Sequence, residues 1–165
     1  MSKTLQTSPS ALSDDALRDV IEELQGGVAD QILTTGGLTI GSSAATAVKI
    51  ATTVYAMVDG VLTSKTTAEI AIAGTVSNAA FNVFVLTIDS AGAVTASMGT
   101  EGTALADVVF PTVPDNEAVI GFVIVNPTGT GDFVGGTTDL DDGTVVPNAV
   151  YIDTVGAFNP NLVAL

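Results

Sequence analysis

The sequence predicts an all-β fold: an antiparallel β-sandwich or jelly roll, preceded by a short N-terminal helix and arm. Three observations carry the prediction. The apolar fraction is 47%, and it consists of Val, Ala, Ile and Leu mixed with much Thr and Gly and without Trp. Such residues suit pleated, half-buried surfaces and tight turns. Turn signals recur at intervals of roughly ten residues, as in sandwiches. Finally, helical spacing of apolar residues is confined to the start of the chain, and short extended runs follow Gly36-Gly37.

Taken in order, residues 1–10 form a polar arm. Ser13 can cap a helix, Asp14 and Asp15 occupy its first turn where the helix dipole favours anions, and Leu12 is placed to staple onto Leu17. Leu17, Val20, Ile21 and Leu24 mark one apolar stripe, and Gly26-Gly27 ends the helix. A helix this short is marginal alone, so it must dock on its own domain, on another copy or on a partner. Leu38 to Ile40 and Ala47 to Val58 read as extended, and Asp59-Gly60 is a hairpin turn before Val61 to Ser64. Glu69 to Ala73 follows. Phe81 to Ile88 is apolar on both faces, with Phe81, Val83 and Val85 opposing Phe84, Leu86 and Ile88, so it should be a central strand covered twice. Asp89-Ser90-Ala91-Gly92 turns it into Ala93 to Met98. A short strand is expected near Asp107 to Phe110, a second fully apolar strand at Ala118 to Val125, a turn at Pro127 to Gly131, and a last strand at Ala149 to Asp153. The expected division is residues 1–35 for the arm and helix, with anchoring or oligomer contacts, and 36–165 for the sandwich.

The charge pattern narrows function. Lys3, Arg18, Lys49 and Lys65 are the only cations against 18 carboxylates, and His and Cys are absent. A net charge of −14 repels polyanions, so neither nucleic acid nor an anionic membrane is an expected partner. No apolar run reaches the roughly 18 residues of a spanning helix, and the polar first ten residues lack the apolar region of a signal peptide. Without Cys there are no disulfides or thiolate metal sites. From Thr66 onward no lysine is available to protect sheet edges, which favours their burial in a symmetric oligomer.

Candidate chemistry is sparse. Asp139, Asp141 and Asp142 crowd before Gly143, but the offsets and downstream glutamate of a calcium loop are missing, so a solvated turn is the stronger reading. Asp115-Asn116-Glu117 also reads as a turn. A glycosidase would need two opposed carboxylates, with Glu69, Glu101 and Glu117 as candidates and Tyr55 and Tyr151 as the stacking platforms. Gly129 to Gly135 begins like a dinucleotide fingerprint but has Val134 at the third glycine position, and reads as a hairpin or loop. A Ser-His pair cannot be assembled without His, and nothing recommends Lys49 or Lys65 as a Schiff-base lysine. No catalytic, cofactor-binding or metal-binding residue is assigned, and no cofactor is expected.

One long stretch has a familiar look. It comprises Phe81 to Asp89, Phe110-Pro111-Thr112-Val113-Pro114-Asp115, Ala118 to Val125, Gly136 to Asp141 and Val150-Tyr151-Ile152-Asp153. Together these resemble the small β-rich virion structural proteins of tailed bacteriophages, which include capsid decoration (cement) proteins and head fibres. The resemblance spans roughly residues 50–155. It implies a non-enzymatic protein made in the host cytoplasm and carried on the outer capsid surface of the virion. There it would stabilise the shell by bridging subunits of the major capsid protein, as a homotrimer. It brings no active-site residues with it. The alternative is a tail-fibre or adhesin-type binding module for a cell-surface glycan.

Overall fold

The computed structural model describes residues 30–146, 149–158 and Pro160. The expected arm and the helix from Ser13 lie outside them. The described chain is all-β and antiparallel, a sandwich whose one helical element is a three-residue 3₁₀ turn, Leu105–Asp107. The strands are β1 (Gln31–Ile32), β2 (Leu38–Ile40), β3 (Ala47–Ile50), β4 (Val54–Val58), β5 (Val61–Lys65), β6 (Ala68–Ala71), β7 (Thr75–Val76), β8 (Asn82–Asp89), β9 (Val94–Met98), β10 (Glu117–Val125), β11 (Phe133–Val134) and β12 (Val150–Asp153).

One layer is a four-stranded sheet in the order β12-β10-β8-β9. Across the core lie two three-stranded sheets, β1-β4-β5 and β2-β3-β6, and the small β11-β7 pair contributes Phe133 and Val76 to the same core. The main core joins Val48, Ile50, Val54, Ala56 and Val58 to Phe84, Leu86, Ile88, Ile120 and Val123. Phe84 and Phe133 meet edge to face at 5.9 Å.

The twofold covering of β8 is as the sequence predicts. Phe84, Leu86 and Ile88 enter the main core, while Val83 and Val85 enter a second cluster on the opposite face with Val108, Phe110, Val119 and Phe122. Its rings interlock, with Phe110 at 5.2 Å from Phe122 and Phe158 stacked on Phe122 at 5.9 Å. β10 is likewise apolar on both faces, but its alternation changes phase. Val119 pairs with Thr87 and Gly121 with Leu86, leaving Ile120 as a bulged residue. Ala118 and Ile120 therefore face the main core with Val123 and Val125. A Cβ on Gly121 would lie 2.3 Å from the Ile152 carbonyl oxygen, so only glycine lets β12 approach there.

Several expectations are revised. The run Ala47 to Val58 is two strands in different sheets, because the chain breaks at Ala51-Thr52-Thr53 and passes from β3 to β4. There the Ala51 and Thr52 N–H groups both donate to the Gly36 carbonyl. The strand expected at Asp107 to Phe110 is a 3₁₀ turn followed by one isolated bridge, Thr100 to Val109. Phe133-Val134, within the segment read as a hairpin or loop, pairs with the distant Val76 and Thr75. β1 pairs with β4 and buries Ile32, so the sheet begins inside residues 1–35. The Asp59-Gly60 turn forms as expected, with both residues at positive φ, 50° and 71°, the geometry that matches strand twist in a two-residue hairpin.

Candidate functional site

Three of the carboxylates singled out by sequence, Glu69, Glu101 and Asp142, are engaged by nearby turns. Glu69 on β6 reaches the Ser42-Ser43-Ala44 turn, where its Oε1 accepts the Ser42 and Ser43 N–H groups at 2.7 and 2.8 Å and its Oε2 that of Ala44 at 3.1 Å. These bonds, the one from Ser43 foremost, hold its carboxyl below the usual glutamate range. Lys49 lies opposite Glu69 in the β3–β6 register and donates to Ser42 Oγ at 2.7 Å, so it closes the same turn. Glu101 accepts the N–H and hydroxyl of Ser77 at 2.9 and 2.8 Å. Glu117 opens β10 opposite Asp89, and Asp115 stands in the turn before it, where the Glu117 N–H donates to the Pro114 carbonyl.

The same use extends to other acids. Asp153 on β12 spans the seam between sheets, accepting the Gly36 N–H at 3.0 Å and the Leu38 N–H at 3.2 Å. Asp89 accepts from Ala91 and Ala93, and Asp132 from Asn78. Within the Asp139-Asp141-Asp142 cluster, Asp142 accepts the Thr144 hydroxyl at 2.6 Å and its N–H at 2.8 Å, and the hydroxyl bond foremost lowers its pKa. Among the described residues, no three His, Cys, Asp or Glu side chains are grouped to hold a metal ion. No described helix is long and apolar enough to cross a membrane. The Gly129–Gly135 segment is tied down at Gly129, Thr130 and Gly135 by backbone bonds to Val145, Thr144 and Gly74.

Tyr55 and Tyr151 do not share a surface. Tyr151 sits on β12, where burial, and secondarily the charge of Asp141, push its hydroxyl up to about 12. That hydroxyl is buried without a hydrogen-bond partner. Tyr55, 47% exposed, lies on the outer face of the β1-β4-β5 sheet.

That outer face was not apparent in the sequence. Val54, Ala56 and Val58 point into the core, which sends Tyr55 and Met57 outward. Register sets Leu62 beside Met57 and Ser64 beside Tyr55. Leu33, one residue beyond β1, donates its N–H to the Tyr55 carbonyl at 2.8 Å and presents a 43% exposed side chain. Leu62 is 62% exposed. The two-residue turn at Asp59-Gly60 fixes the Met57–Leu62 row and could have revealed half of this face. The Leu33 half could not be found without β1. Comparison of the chain with protein-family models, with curated proteins and with solved structures finds no match to any of them.

Proposed function

We propose that this chain is a non-enzymatic virion structural protein that decorates the outside of a tailed-phage capsid, bridging major capsid subunits as a homotrimer. One observation carries most of the weight. Glu69 and Glu101, two of the three glutamates a hydrolytic site would draw on, are engaged with the N–H groups of Ser42, Ser43, Ala44 and Ser77. A general acid or base must have its oxygens free to meet a substrate proton. These oxygens brace loops, which is the use expected in a part selected for rigidity. The resemblance noted in the sequence agrees with this reading, and so does a net charge of −14, which suits an exterior position away from packaged nucleic acid.

Bridging would stabilise a shell through area. Several copies would each cover a subunit junction, with apolar contacts supplying most of the energy and acidic rims limiting misassembly. The test is sedimentation of the purified chain with phage heads lacking it. The expected result is saturable co-sedimentation, with decorated heads surviving a higher temperature than bare ones. Failure to bind heads, together with binding to host cells, would replace this reading with the adhesin one. Light scattering of the free chain should give three times 16.5 kDa if the trimer forms before the capsid is met.

A further inference from the structure

The chain contains two Asp-Gly pairs, Asp59-Gly60 and Asp142-Gly143, and no Asn-Gly pair. Glycine has no side chain to shield its amide nitrogen, so that nitrogen can reach the carboxyl of the aspartate before it. Both glycines stand in the open, where an added Cβ would meet nothing within 4 Å. The two aspartates differ.

We infer that Asp59-Gly60 is a site of spontaneous isoaspartate formation, and that Asp142-Gly143, the same pair in sequence, is held against it by Thr144. In the reaction the Gly60 nitrogen attacks Asp59 Cγ. A C–N bond forms, the carboxyl C–OH bond breaks, and the hydroxyl leaves as water with the amide proton. Water then opens the resulting succinimide at one of its two carbonyls. Opening at Cγ restores aspartate, whereas opening at the main-chain carbonyl leaves the chain running through Cβ and Cγ. The reaction draws on water alone.

Three observations support the assignment. The first is the carboxyl. Among the described residues nothing hydrogen-bonds to that of Asp59, whose own bond there runs from its N–H to Asp30 Oδ1. Asp142 Oδ1, by contrast, accepts the Thr144 hydroxyl at 2.6 Å and the Thr144 N–H at 2.8 Å. These bonds tie the carboxylate to Thr144. They also favour its charged form, the hydroxyl bond foremost, whereas the loss of water needs the neutral acid. The second is the nucleophile. In a two-residue hairpin the closing backbone bonds join Val58 to Val61, which leaves the Gly60 N–H outside the ladder. The third is the backbone. Asp59 holds a φ of 50°, in the left-handed region that a Cβ disfavours, and the extra backbone carbon of isoaspartate releases it. The longer turn no longer matches the strand twist, so the modified hairpin should loosen at Val58 and Val61. The inference does not rest on the capsid reading.

The test ages the full chain for weeks in warm neutral buffer. Isoaspartyl carboxyls are then labelled with protein-L-isoaspartate methyltransferase and a labelled methyl donor. Trypsin cuts after Lys49 and Lys65 and releases residues 50–65, in which Asp59 is the only Asp or Asn. Electron-transfer fragmentation reads label at Asp142 within residues 66–165. Asp59 should label several-fold faster than Asp142 in the folded chain, and the two should label at similar rates in urea. Thr144→Val should raise the rate at Asp142, while Thr144→Ser, which keeps the hydroxyl, should leave it low. Equal rates at the two sites in the folded chain would overturn the inference. An unlabelled Asp59 in the folded chain would do the same, whatever the urea sample shows. A Thr144→Val chain with Asp142 still unlabelled would remove Thr144 as the protecting group.

Discussion

The two faces of the β8–β10 pair are both buried, but by different means, and the contrast shows where this fold is rigid. On the inner face Phe84, Leu86, Ile88 and Val123 meet side chains from regular strands of the opposing layer and Phe133 of β11. On the outer face Val83, Val85 and Phe122 are covered by Val108, Phe110 and Leu105 from the connection between β9 and β10, and by Phe158 near the C-terminus. The covering connection is tied to β8 and its flank by the Gly99 N–H bond to the Val83 carbonyl and the Phe81–Gly102 bridge, and to itself by the Thr100–Val109 bridge. A hole made on the inner face cannot close without moving whole strands. A hole on the outer face can be partly filled by a loop that settles inward.

The largest expected effect tests that difference. Phe84→Ala should cost about 3–5 kcal/mol, the range for a buried phenylalanine whose site cannot collapse. Phe110→Ala removes the same side chain from the outer cluster and should cost less, about 3 kcal/mol at the low end of that range, because the cost depends on relaxation around the cavity. Urea denaturation of both variants gives the comparison. Equal losses would mean that the loop cover is as stiff as the sheets opposite.

A second contrast lies between seams held by side chains and those held by packing. Asp153 is the one described side chain that bonds β12 to the Gly36–Leu38 backbone, and it does so where two sheets meet. Asp153→Ala should cost about 1–3 kcal/mol through two orphaned N–H groups. Amide exchange should accelerate at Gly36 and Leu38 before it changes in β8. Acceleration spread evenly over the sandwich would show that the staple supports the whole core.

Glu69 braces an exposed turn, and its effect should appear as a pH dependence. Its folded pKa lies below the ordinary 4.5, chiefly through the Ser43 N–H bond. An acid depressed in the folded state contributes stability above its unfolded pKa and loses it as pH falls through the folded value. Thermal unfolding between about pH 6 and about pH 2 should therefore show an acid decline that is shallower in Glu69→Gln. Asp142, lowered by the Thr144 hydroxyl, adds to the same decline, so some of it should remain in that variant. An unchanged profile would remove Glu69 from the account.

The fold was legible where the pattern was local and strong. The two-faced apolar run of β8, the Asp59-Gly60 hairpin and the short strands β2 and β12 could all be read from residue order. What escaped was decided by pairing across long sequence distance. β1, β7 and β11 are two residues each, too short to show a period, and exist because β4 and each other supply the partner edges. The phase change at Ile120 is invisible in a run where every residue is apolar except Gly121, and that glycine is its one local trace. The candidate carboxylates were visible as residues, but their roles were not, since Glu69 and Asp153 act on backbone 25 to 117 positions away. The apolar face needed two strands to be seen, and one of them was β1.

The smallest expected effect concerns the one described buried side-chain atom left without a hydrogen bond, the Tyr151 hydroxyl. It packs at the margin of the main core on β12, beside Val123 in register and near the charge of Asp141. A desolvated hydroxyl with no partner is a cost that phenylalanine does not carry. Tyr151→Phe should thus leave stability at neutral pH unchanged or raise it by up to about 1 kcal/mol. The sign at high pH is separate. The neutral hydroxyl is favoured in the folded chain, where the pKa is about 12 against the ordinary 10.0, so the unfolded chain ionises first. Stability should fall as pH rises from about 10 towards about 12, and this fall should be reduced in Tyr151→Phe. Destabilisation of the phenylalanine variant at neutral pH would mean that the hydroxyl has a partner in solution, and that β12 is fastened at Tyr151 as well as at Asp153.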